Sequence, residues 1–197
     1  MPADLAPHRI FTQTVFIAND SLYSSNLNGE NMGDKLTALQ KIRSIANYQF
    51  GKGVGEKLFP DEVEIVHSRR TGKIRHVYLG EKILATLRPT NGLFSLTIAG
   101  AKQMVESVKA RRLWVKVGEE AEPFVVRGKS VFAKHVIDAD EEIRPQEEVI
   151  VINEDNKVLA VGRALLTGKE MKAFERGVAV RVRRGAAEEV KKETARV

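Results

Sequence analysis

The chain has 197 residues and no cysteine. That excludes disulfides, thiolate nucleophiles, cysteine-ligated zinc and iron–sulfur clusters. No apolar run approaches the ~20 residues that cross a bilayer as a helix, so no membrane partner is expected. Met1 to Gln13 holds no basic stretch followed by an apolar one, and no signal peptide is expected. A cysteine-free chain suits a reducing interior, and a cytoplasmic location is the expectation. Four histidines, His8, His67, His76 and His135, are scattered without metal-ligand spacing. The glycine run Gly51 to Gly55 lacks the G-x-x-x-x-G-K-[ST] pattern and follows a helix rather than a strand. No G-x-S-x-G elbow is present. The acidic run Asp138 to Glu142 reads as a solvated turn with Arg144 close by. No cofactor, metal or acid/base pair is therefore expected, and the chain reads as a non-enzyme.

What is present is an ordinary globular balance, 43% hydrophobic and 29% charged, with a net charge of +6. The excess is uneven. Residues 1–119 carry 17 Lys/Arg against 11 Asp/Glu, whereas residues 120–197 carry 15 of each. A basic first part favours phosphate-bearing partners.

Residues 1–33 are rich in Asn, Ser and Gly and read as an arm, with a strand expected over 11–17. Asp34 is the expected N-cap of a helix whose apolar face is Leu36, Leu39, Ile42 and Ile45. Four short strands follow, at 63–66, 74–79, 83–87 and 93–97. Their tight turns imply an antiparallel meander. A helix over 99–110, with Ile98, Ala101, Met104, Val105 and Val108 inward, covers one face. A domain boundary is placed near 112, after the basic link Lys109 to Arg112. Beyond it, strands are expected at 113–117, 123–127, 148–153, 157–165 and 178–183, with a helix at 169–176 started by a Thr167/Glu170 capping box. The tail from 186 to 197 is expected to fray. The fold class is α+β: a small antiparallel sheet with helices, then a small closed or half-closed β-barrel.

Three clusters carry the expected chemistry. Arg69, Arg70, Lys73 and Arg75 surround the turn Arg70-Thr71-Gly72-Lys73, a tip suited to gripping phosphate. In the run Gly128 to Val136, a glycine and a small polar residue allow close backbone approach. Lys129 and Lys134 add charge there, and Phe132 is available to stack or to pack. Arg181, Arg183 and Arg184 make the last strand basic on one side. Arg163 follows Gly162, whose missing side chain leaves room for a backbone or a ribose.

Residues 113–185 resemble a PUA domain, a small RNA-binding pseudo-barrel. The resemblance rests on Gly128-Lys129-Ser130-Val131-Phe132-Ala133-Lys134, Ile143-Arg144-Pro145 with Glu148-Val149, Leu159 to Ala164, and Arg176 to Val180. Upstream, Tyr48-Gln49-Phe50-Gly51, Ser68 to Val77 and Gly92 to Thr97 resemble the RNA-binding domain that precedes PUA in archaeal tRNA-guanine transglycosylase. The resemblance divides the chain into an arm (1–33), an α+β RNA-binding domain (34–112), a PUA domain (113–185) and a tail (186–197). It implies tRNA as partner, gripped at the acceptor stem and 3′ CCA end, and archaeosine formation as the process. It also implies a separate catalytic transglycosylase subunit, because this chain has no room for the catalytic barrel. By carry-over Lys129, Val131, Phe132, Ala133, Lys134 and Arg163 become contact candidates. Membership of archaeosine synthase, or a free-standing interaction module, remains open as an alternative.

Overall fold

A computed structural model describes residues 32–107 and 112–188. The expected strand at 11–17, the basic link 109–111 and Val108 lie outside them. Helix α1 (Met32–Phe50) buries Leu39, Ile42, Ala46 and Phe50. Those spacings of three and four follow the 3.6-residue turn. The expected stripe at strict intervals of three drifts off that face. Leu36 is exposed, and Ile45 is only partly buried. Asp34 lies within the helix's first turn rather than at its N-cap. Gly51, at φ 113°, ends the helix with its N–H on Asn47 O. A short helix that the sequence reading did not contain, α2 (Val54–Leu58), follows.

The described residues from Ala38 onward form one compact unit. Its first part is the expected meander: β1 (Glu64–His67), β2 (Ile74–Leu79), β3 (Lys82–Leu87) and β4 (Phe94–Leu96), antiparallel in sequence order. Helix α3 (Ile98–Ser107) buries Ile98, Ala101 and Met104 as the periodicity predicts. Phe59 packs on Phe94 with ring centroids 5.1 Å apart.

The second part is a nearly closed six-stranded pseudo-barrel. Its strands are β5 (Trp114–Val117), β6 (Val131–Phe132), β7 (Val136–Ala139), β8 (Glu148–Ile152), β9 (Val158–Ala164) and β10 (Val178–Gly185). They lie in the order β6-β10-β9-β8-β5-β7. Only β5 and β8 pair in parallel. All five residues of β8 are buried, so this strand is the barrel's centre. The expected strand at 123–127 is instead helical. A 3-10 turn (Glu119–Ala121) runs into α4 (Glu122–Val125), with Pro123 in its first turn. The short strands β6 and β7 flank a 3-10 turn (Ala133–His135), and the sequence reading missed both. Helix α5 (Gly168–Ala173) starts with the expected capping box, Thr167 Oγ1 accepting from Glu170 N–H and the Glu170 carboxylate accepting from Thr167 N–H. Past β10 the chain stays docked: Ala186 packs on the core and Ala187 N–H donates to Val126 O.

No helix among the described residues is long and apolar enough to cross a membrane. Nor do those residues hold a cluster of three or more metal-ligating side chains.

Candidate nucleic-acid interface

The β1–β2 turn folds back tightly. Ser68 N–H donates to Lys73 O at 2.8 Å, and Gly72 N–H to Ser68 O at 2.8 Å. Gly72 sits at φ 64°, where an L side chain is strained. The turn holds Arg69, Arg70 and Lys73 outward, and Arg75 follows on β2; all four are exposed. Among the described residues none of them pairs with a carboxylate. Their charge is therefore available to an external anion. Val77, two residues beyond Arg75 on the same face, is fully buried. That face passes from solvent to core within one pleat.

His76, between them, points to the opposite side. Its Nδ1 lies 3.1 Å from Thr86 Oγ1. Burial lowers its pKa first, and Arg75 and then Arg184 lower it further. One ring thus senses a cation from the meander and another from the barrel.

The segment 128–135 splits by side chain. Lys129, Phe132 and Lys134 are exposed, and Phe132 is 48% accessible. Val131 and Ala133 are buried at 1% and 2%, so their side chains belong to the core and not to a contact surface. Their burial turns the alternate residues outward. Ala133 N–H is also committed, to Gly177 O at 3.0 Å. Gly128 takes φ 86°, and the next residue, Lys129, donates its N–H to Phe124 O at 3.1 Å. Two more exposed aromatics that the sequence reading did not single out, Phe124 and Phe174, stand on α4 and just past α5. His135 Nδ1 lies 3.1 Å from a Glu120 carboxylate oxygen. That contact holds Glu120 below the usual carboxylate range.

On the barrel wall, Glu148, Arg163 and Arg181 face one another across β8, β9 and β10. Arg163 and Arg181 are exposed. Arg183 does not join them as a free cation. It sits at an irregularity in the β9–β10 ladder between Val182 and Arg184. There its guanidinium bonds the buried carboxylate of Glu148 and donates to Leu96 O at 2.9 Å. Burial raises the Glu148 pKa, against the opposing pull of Arg183, the Leu96 N–H and Arg88.

The room at Gly162 is also taken. A Cβ there would lie 2.4 Å from Arg181 O and 2.9 Å from Val182 Cα. The absent side chain admits the neighbouring strand, not a ribose. Gly162→Ala should therefore cost about 1–3 kcal/mol by overpacking. A thermal melt of this variant beside wild type checks it, and an unchanged midpoint would contradict the close approach.

Arg88, which falls between the expected strand 83–87 and the turn after it and was not singled out in the sequence, is the main addition. Its pKa is lowered by burial first. Glu148 opposes that shift, and Arg163 and Arg183 add to it. It also lines a cleft of about 940 Å³ whose walls include Tyr48, Gln49, Arg112, Arg144 and Glu148. Arg112 there pairs with Glu142 at 2.8 Å.

A meander with an exposed cationic tip, continuous with a pseudo-barrel that carries further arginines, defines a PUA-containing α+β class. Residues 40–111 match the patch-forming domain C2 of tRNA-guanine transglycosylase, and residues 114–186 match the PUA domain. The tRNA-guanine(15) transglycosylase of Methanothermobacter thermautotrophicus is 46% identical over 147 residues, 75% of this chain and 22% of that protein. The Pyrococcus furiosus enzyme of the same name is 48% identical over 151 residues, 77% and 25% respectively. A hypothetical protein of Pyrococcus horikoshii superposes with a TM-score of 0.65 at 26% identity, over 79% of this chain and 94% of its own. The chain carries a C2 domain followed by a PUA domain and is similar, through both, to the C-terminal part of archaeal tRNA-guanine(15) transglycosylases. It spans about a quarter of the length of those relatives, and no catalytic domain is matched.

Proposed function

We propose that this chain is a tRNA-binding module in archaeosine formation. It grips the acceptor stem and 3′ CCA end for a separate transglycosylase subunit that makes and breaks the glycosidic bond. The observation that carries the reading is the set of exposed cations without carboxylate partners, Arg69, Arg70, Lys73 and Arg75, on a C2 domain joined to a PUA barrel. The division of labour falls near residue 112. The C2 part neutralises phosphates, while Lys129, Phe132, Lys134, Arg163 and Arg181 of the barrel contact the stem and its end. Val131 and Ala133 act only by setting that surface. Phosphate contacts supply affinity, and helix shape and the single-stranded end supply selectivity. The direct test adds the purified chain to a transglycosylase truncated before its C2 domain and follows labelled guanine incorporation into tRNA. Restored exchange supports the subunit role. Incorporation by this chain alone, or no restoration, contradicts it.

The reading carries a proton linkage. His76 is held below its ordinary pKa partly by Arg75 and Arg184. Phosphates that neutralise those arginines remove part of the repulsion and raise the His76 pKa in the complex. A pKa higher in the bound state means proton uptake on binding, so affinity should rise as pH falls from neutral toward the His76 pKa. Following the His76 ring resonances by NMR with and without tRNA checks this. An unmoved titration would place the RNA elsewhere.

A further inference from the structure

Strand β4 is an edge strand, paired only with β3. Its outward main-chain groups would lie open, but side chains close them in two places. Gln49 takes Phe94 with both ends of its amide: Oε1 accepts from Phe94 N–H at 2.7 Å, and Nε2 donates to Phe94 O at 2.9 Å. Two residues on, the barrel does the same with an ion pair. Glu148 accepts from Leu96 N–H at 3.0 Å, and Arg183 donates to Leu96 O at 2.9 Å. Glu148 and Arg183 together stand in for the next strand of a ladder, and they join the meander's edge to the barrel.

This clamp leaves a charge imbalance. Arg163 stands opposite Glu148 in the β8–β9 register, Arg183 bonds it, and Arg88 lines the same cleft as Glu148 and feels its charge, so three guanidinium groups share one buried carboxylate. Arg183 is committed to Glu148 and Leu96. Arg163 has only Gln146 Oε1 at 3.3 Å, and the Arg88 side chain only a long contact from Nε to Leu93 O at 3.4 Å. Neither has a carboxylate of its own among the described residues. Arg88 lines one cleft with Leu93, Gln146 and Glu148, and Arg163 reaches its edge through Gln146; an anion seated there can accept from both guanidinium groups, and a phosphate has the oxygens to do so.

We propose that Arg88 and Arg163 jointly seat one backbone phosphate of the bound RNA across the seam between the meander and the barrel, with Glu148 and Arg183 as the positioning residues of that seat. The proposal rests on the RNA-binding reading and specifies a contact within it. The two arginines come from different modules, so the seat registers whether both lie on the same RNA segment.

The test is fluorescence anisotropy of a labelled tRNA with the full chain at several salt concentrations, for wild type, Arg88→Ala, Arg163→Ala and the double variant. Each single change should weaken binding about tenfold, as loss of a charge-assisted bond does. The double variant should fall little further and lose a salt slope of about 0.7–0.9, the share of one phosphate. Multiplicative losses with twice that slope change would mean separate phosphates and overturn the shared seat. No effect from either variant, while Arg69→Ala still weakens binding, would sink the seat and leave the RNA-binding reading standing. Wild type that binds tRNA no better than an uncharged polymer would sink that reading itself. Arg88→Lys with Arg163→Lys keeps charge and stem, and should retain affinity better than the alanines. Glu148→Met, which can accept neither from the Leu96 N–H nor from Arg183, separates positioning from plain electrostatics by sign. Removing an anion beside the site raises affinity if only charge matters. Loss of the clamp lowers it, as the proposal requires.

Discussion

Removing the four cations of the β1–β2 tip together (Arg69→Ala, Arg70→Ala, Lys73→Ala, Arg75→Ala) is expected to weaken tRNA binding by about 10²–10³-fold near 0.1 M salt. Counterion release sets the size of the loss. Each phosphate neutralised frees condensed ions, and log affinity falls against log salt by about 0.7–0.9 per contact. The four side chains are exposed, and their loss uncovers no core, so stability should be little changed. Anisotropy across a salt series separates a lost contact from a lost fold: affinity and slope fall together while the melting midpoint stays put. The loss should be much the same for all tRNAs, because phosphates carry no sequence information. A loss confined to one tRNA would assign the tip to base recognition instead.

Arg183→Ala is expected to cost about 2–3 kcal/mol of stability, below the penalty for breaking a fully buried ion pair because the Arg183 side chain is itself 36% exposed. Glu148 is 3% accessible, and Arg183 is its direct partner as well as the donor to Leu96 O. The deficit should depend on pH in a definite sense. Burial already raises the Glu148 pKa in the folded chain. Losing Arg183 removes the largest opposing influence and raises it further. A carboxyl whose folded pKa lies above its unfolded value destabilises when ionised, and the loss disappears as pH falls below both values. The variant should thus be most impaired at neutral pH and approach wild type near pH ~4, where an unfolded Glu is protonated. Chemical denaturation at the two pH values measures this. A deficit that does not change with pH would mean that Glu148 is not left charged and alone.

The meander was legible because its information is local. Tight turns at Gly72, Gly80 and Gly92 punctuate short alternating strands, and hairpins need nothing more distant. The Thr167/Glu170 capping box was legible for the same reason. Phe124-Val125-Val126 misled, because a short apolar run looks alike in a strand and in a buried helical turn. Pro123 was the available hint of a helix start. The cationic tip could be read residue by residue. The fate of Arg183 could not, since its partners Leu96 and Glu148 are 87 and 35 residues away. Arg88 hid for the same reason: it follows the expected strand 83–87 without a motif of its own, and Glu148 and Arg163, whose charges act on it, belong to the barrel. The structure buries the side chains of Val131 and Ala133 in the core, whereas family likeness alone had made them contacts.

The most direct measurement is the salt dependence of tRNA binding by the full chain, with an uncharged polymer as control. The account predicts selective binding to tRNA whose log–log slope against salt is about −3 or steeper, enough for the four tip cations alone. Binding that ignores salt and treats both ligands alike would contradict it.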